Sequence, residues 1–208
     1  MFTNALLPDT FRAIKLVSKI SDVASAYLAG GTALALHMGH RISVDLDFFT
    51  RKKFSETVLS LRLKKSPEFK EEGKSWRTIW GRIGETKFSF FFYEYPLLDE
   101  VVTFEGIKVA GKKDLAAMKI HAIEDRGTRR DFVDVFFLAQ EFPLDKMLEF
   151  YDQKYGKVSD HFYSIMRALT YFEDAEKEAE MPRMLKNVDW NSVKKFFVNE
   201  SRRLWKLI

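Results

Sequence analysis

Apolar and polar positions follow two periods along this chain, and the change from one to the other divides it. Up to about residue 110, helix-like stretches are interleaved with stretches that alternate every second residue. Pro8-Asp9-Thr10 reads as a helix start leading into residues 11–20. The short apolar run Ala26-Tyr27-Leu28-Ala29 fits a brief buried strand, which Gly30-Gly31 breaks before a helix over 32–38. After a second break at Gly39-His40-Arg41, residues 43–49 alternate like a strand, and 54–63 are again helical. Residues 76–83 and 86–93 are strand-like around a turn at Gly84-Glu85, and Pro96 ends the second. A small hairpin is predicted over 101–104 and 107–110, around Glu105-Gly106.

Beyond Gly111 the period-two signal disappears. Helices are predicted over residues 112–125, 129–140, 144–154, 160–173 and 191–205. The expected class is α+β. An α/β core over residues 1–110, a small mixed sheet flanked by helices, precedes an α-helical bundle over 111–208. No low-complexity linker separates them, so the halves are expected to pack together.

The chain's 208 residues, 46% hydrophobic, leave ample material for a core. The chain has no cysteine, which excludes disulfides, thiol catalysis and thiolate zinc sites and fits a reducing cytoplasm. No apolar run approaches the roughly 20 residues of a membrane span, and the first residues lack a signal-peptide pattern. The net charge of +4 is a mild excess, with basic clusters such as Arg51-Lys52-Lys53 and Arg129-Arg130. Solvated surface accounts for any one of them; a polyanion acceptor such as RNA is the sharper reading.

The richest chemistry lies in Asp45 and Asp47. On a strand they share one face while Val44, Leu46 and Phe48 share the other. Two close carboxylates repel unless a cation offsets them, and Mg²⁺ is commonly held by one or two carboxylates together with substrate phosphates. Upstream, Gly30-Gly31-Thr32 opens a helix whose N–H groups would attract phosphate. In the helical half, Lys119 and Arg126 lie near one stripe of a helix, where a lysine could reach a triphosphate or simply cover the core. Asp131 and Asp134 lie on neighbouring positions of the next helix. Asp134 sits among Phe132, Val133, Val135, Phe136 and Phe137, so it is expected to be partly buried and paired with Lys119 or Arg130. The four histidines, 37, 40, 121 and 161, form no recognisable metal pattern; His37 and His40 read as polar helix-end residues.

Together these segments resemble the AbiEii/AbiGii-type nucleotidyltransferases of the DNA polymerase β-like superfamily, many of them toxins of toxin–antitoxin or abortive-infection systems. The resemblance rests on residues 28–37, on His40 to Phe49, on Tyr95-Pro96-Leu97-Leu98, on Asp114 to Lys119, and on Arg126 to Asp134. It implies a polymerase β-like fold that transfers NMP from an NTP to a hydroxyl of RNA (such as tRNA) or protein, with release of pyrophosphate. It also implies an antitoxin partner and no membrane. Gly30, Gly31 and Thr32 would hold the phosphates, with Arg41 and Ser43 shaping the loop. Asp45 and Asp47 would bind Mg²⁺ or Mn²⁺, Lys119 would contact the triphosphate, and Asp134 would complete the site, making it a cleft between the halves. One departure stands out: where a third acid is often found on a later strand, Ser89 or Phe91 falls here, with Glu94 at the strand end. Alternatives are a weak or inactive nucleotide- or RNA-binding protein and a small-molecule nucleotidyltransferase.

Overall fold

The computed structural model describes residues 1–156 and 158–206. They divide between two compact units, the first ending at Gly111 and the second beginning at Lys112. The last positions of the predicted helical half, 207–208, lie outside the described residues.

The first unit is built on a seven-stranded mixed sheet. Its strands are β1 (Tyr27–Ala29), β2 (Leu46–Thr50), β3 (Phe69–Ser75), β4 (Thr78–Ile83), β5 (Thr86–Phe92), β6 (Val102–Phe104) and β7 (Ile107–Val109), in the spatial order β3-β4-β5-β2-β1-β7-β6. The pairs β2–β5 and β1–β7 are parallel and the rest antiparallel. β2 thus lies at the centre of the sheet. Leu46, Phe48, Phe88, Phe90 and Ile79 are buried on one face. On the other, Tyr27 and Phe49 stack at 6.1 Å and Phe49 and Phe91 at 5.1 Å, an aromatic row beside Asp47. The helices are α1 (Pro8–Val17), the short α2 (Ser21–Ser25), α3 (Gly30–Met38) and α4 (Glu56–Leu63).

In this unit two expected elements begin elsewhere and one strand is new. The strand expected over 43–49 begins only at Leu46, because residues 43–45 are tied to the first turn of α3 by side chains rather than to a neighbouring strand. The helix expected from Thr32 begins at Gly30. β3 was not foreseen: Phe69-Lys70-Glu71-Glu72-Gly73-Lys74-Ser75 is charged because it is an edge strand with mostly exposed side chains.

The elements of the second unit are helices, joined by turns and, over 177–189, by a longer non-helical stretch: α5 (Lys112–Asp125), α6 (Arg129–Leu138), α7 (Leu144–Tyr155), α8 (Val158–Ala168), α9 (Glu173–Glu176) and α10 (Trp190–Trp205). The helix expected over 160–173 ends earlier, at Ala168. Its core gathers Leu115, Ile120, Phe132, Val135, Met147, Tyr151 and Phe197. Among the described residues no helix is long and apolar enough to cross a membrane.

Candidate active site

β1 ends at Ala29, opposite Asp47 of β2, and the chain turns directly into α3. Gly30 takes φ +68°, a left-handed conformation that glycine adopts without strain. A Cβ on Gly30 would meet the Asp47 carboxylate at 3.2 Å, and one on Gly31 would meet Nη2 of Arg41 at 2.3 Å. The two glycines therefore let a carboxylate and a guanidinium lie against the start of the helix. The N-cap residue, Ala29, offers no capping side chain, and the N–H groups and dipole of the helix start favour an anion there.

The loop before β2 is fastened to the same turn. The buried Thr32 hydroxyl lies 2.9 Å from the Ser43 hydroxyl and donates to the main-chain carbonyl of Asp45. Arg41 is 3% exposed, and its Nη1 donates to the Ile42 carbonyl at 3.1 Å. Asp45, one residue before β2, and Asp47, within it, are both half-buried and flank the fully buried Leu46. In the β2–β5 register Asp47 stands opposite Ser89, so the position across from this acid carries a hydroxyl. Phe91 lies opposite Phe49, and Glu94 is exposed beyond the end of β5. Among the described residues no group of three or more histidine and acidic side chains is placed to hold a metal. Asp45 and Asp47 are two carboxylates beside space that a Cβ would fill, a donor set that suits a hard divalent cation completing its shell with phosphate oxygens.

A second cluster lies in the helical unit. Lys119 of α5 is buried, and its Nζ is 2.6 Å from Asp134 and 2.8 Å from Asp131, both on α6. Asp134 thus pairs with Lys119, one of its two expected partners. Asp131 also accepts from Thr128 at 2.6 Å and from Arg126 Nε at 2.9 Å, and Arg126 is itself 59% exposed. Burial opposes ionisation of Asp131, but the Lys119 and Arg126 charges outweigh it and hold its carboxyl well below the ordinary aspartate range. Asp131, Thr128 and Arg126 had not been singled out as site residues. The signal was present in the three-residue spacing of Asp131 and Asp134 and in the Lys119–Arg126 stripe.

The histidines are engaged elsewhere. His37 Nε2 lies 2.8 Å from the Ala110 carbonyl, and His161 pairs with Glu124 at 2.9 Å.

A glycine-opened helix start, the acids Asp45 and Asp47 and a buried Lys–Asp cluster thus occur here in a mixed α+β fold. The model of the AbiEii nucleotidyl transferase toxin, of type IV toxin–antitoxin systems, matches residues 17–96 and 92–206. The chain belongs to this family. An uncharacterized protein of Aquifex aeolicus is 36% identical over 193 residues, covering 89% of this chain and 90% of that one. Among solved structures, the nucleotidyltransferase toxin MenT4 of Mycobacterium tuberculosis superposes with a TM-score of 0.59 at 14% identity, over 92% of this chain and 81% of MenT4. JHP933 of Helicobacter pylori gives 0.55 at 20% identity, over 95% and 89%. The antibiotic-resistance factor ANT(2″)-Ia gives 0.53 at 11% identity, over 74% and 98%. At these identities the structural likeness is one of fold.

Proposed function

We propose that this AbiEii-family chain transfers NMP from an NTP to a hydroxyl of an RNA or protein acceptor, acting in the cytoplasm as a toxin held in check by an antitoxin. The observation that carries this reading is the corner where Gly30 and Gly31 bring the start of α3 against Asp47 and Arg41. The α3 N–H groups and the Arg41 guanidinium would anchor the triphosphate. Thr32 and Ser43 fix the loop that presents Asp45. Asp45 and Asp47 would hold Mg²⁺ or Mn²⁺, which supplies charge neutralisation at the phosphates when bound. Within the second unit, Lys119 and Asp134 form a buried ion pair. The acceptor hydroxyl attacks the α-phosphorus in line and pyrophosphate leaves.

Ser89 opposite Asp47 favours a second reading, a weak enzyme or a nucleotide-binding protein, because no sheet carboxylate there takes the acceptor's proton. The likeness to ANT(2″)-Ia keeps a small-molecule acceptor as a further alternative. The test is incubation with Mg²⁺, each labelled NTP, and total RNA or cell extract. Label should appear in an acceptor and vanish with Asp45→Asn. Tight NTP binding with no transfer to any acceptor would favour the binding protein instead.

A further inference from the structure

Successive strand registers line up Gly73 of β3, Trp80 of β4, Ser89 of β5, Asp47 of β2 and Ala29 of β1 in one row across the sheet. Neighbouring strands lie about 4.8 Å apart, so Trp80 stands two strands, roughly 10 Å, from Asp47. A second row on the same face, two residues away along β4 and β5 and three along β3 across its bulge, holds Lys70, Arg82 and Lys87. Trp80 is 38% exposed, and a Cβ on Gly73 would meet its six-membered ring at 2.2 Å. The indole is thus seated on the bare backbone of the edge strand with its other side open. Arg82 pairs with Glu72 at 2.9 Å and donates to the Glu85 carbonyl. Lys70 and Lys87 are exposed and enter no ion pair among the described residues.

We propose that this open face of β3, β4 and β5 is the docking platform for a single-stranded nucleic-acid acceptor, with Trp80 stacking on a base and Lys70 and Lys87 meeting its phosphates. The proposal rests on the nucleotidyltransferase reading for its direction. In-line displacement puts the leaving group and the nucleophile on opposite sides of the reacting phosphorus. The phosphate-binding start of α3 lies on the β1 side of Asp47, so the acceptor arrives from the β5 side, where Ser89 and then Trp80 follow. Ser89 leaves no carboxylate in the row between Trp80 and Asp47 to repel a phosphate. Flat π-faces separated from cations by one residue pair suit bases and phosphates of a flexible strand; a duplex buries its bases and cannot stack on an indole. An acidic peptide would use the lysines and leave Trp80 without a role.

The test is fluorescence anisotropy of the full chain with a labelled single-stranded RNA of about 12 nucleotides, its duplex form, and a polyglutamate peptide. Trp80→Leu keeps an apolar cover over Gly73 and removes the π-face; it should weaken single-strand binding about tenfold, while Trp80→Phe binds nearly as the wild type. The double variant Lys70→Gln, Lys87→Gln should flatten the plot of log affinity against log salt by about 1.4, from about 0.7 per lost phosphate contact. Trp80→Leu binding as tightly as the wild type overturns the proposal. So does equal affinity for the duplex or for polyglutamate. Asp45→Asn separates the two readings: it should abolish transfer and leave RNA binding intact. A wild type that binds RNA through Trp80 yet never transfers label sinks the enzyme and leaves the platform. Transfer to RNA that is indifferent to Trp80 does the reverse.

Discussion

Asp131 accepts from Lys119, Arg126 and Thr128. Asp131→Asn removes the charge that two cations share and should cost about 3 kcal/mol, the size expected when one member of a buried pair is lost. The folded-state pKa of Asp131 lies below its unfolded value of 3.8, so its contribution is complete above that value and is lost as pH falls below it. Urea unfolding should therefore show wild-type stability dropping between about pH 5 and pH 2, and Asp131→Asn dropping less steeply. Parallel pH profiles would mean the ion cluster contributes little. The pairing of Asp134 with Lys119 was legible because helical spacing sets which acid faces the neighbouring helix. The larger share taken by Asp131 was not, since it depends on Arg126 folding back across the Gly127-Thr128 turn, which spacing alone does not encode.

Element by element, legibility followed turn chemistry. Both hairpins were readable because Glu105-Gly106 and Gly84 supply the positive φ angles that tight turns need. The loop before β2 misled, because the alternation of Val44, Leu46 and Phe48 runs back past the point where Thr32 and Ser43 take over from the strand ladder. α10 begins where Asp189 accepts from the Ser192 N–H at 3.0 Å, and the Ser192 hydroxyl together with this N–H holds the Asp189 carboxyl below its usual range. Asp189→Ala should speed amide exchange in the first turn of α10. Unchanged exchange there would show that packing of Val193 and Phe197, not the cap, sets where this helix begins.

At the scale of the molecule, each unit has its own core, and one fully buried ion pair belongs to the second. Lys154 of α7 and Asp114 of α5 meet at 2.6 Å, and neither side chain is exposed to solvent. Asp114→Asn leaves a buried ammonium without its charge partner and should cost about 3 to 5 kcal/mol, read as faster exchange of α5 and α7 amides. Exchange equal to the wild type would contradict a structural role for the pair. The loss of alternating strand signals after Gly111 has its counterpart in a second unit whose described elements are all helices. The sheet order was not legible, because β2 pairs with β5 and β1 with β7 across long stretches of sequence that no local pattern marks.

That same β1–β7 pairing bears on synthesis. Leu28 stands opposite Val109, so one neighbour of the strand that leads into Gly30 is among the last parts of its unit to be translated. Such distant pairings slow folding and must wait for the later segment to emerge. A ribosome-bound chain therefore carries Asp45 and Asp47 well before the sheet that positions them can close, and truncated products ending short of β7 leave β1 with an unpaired edge.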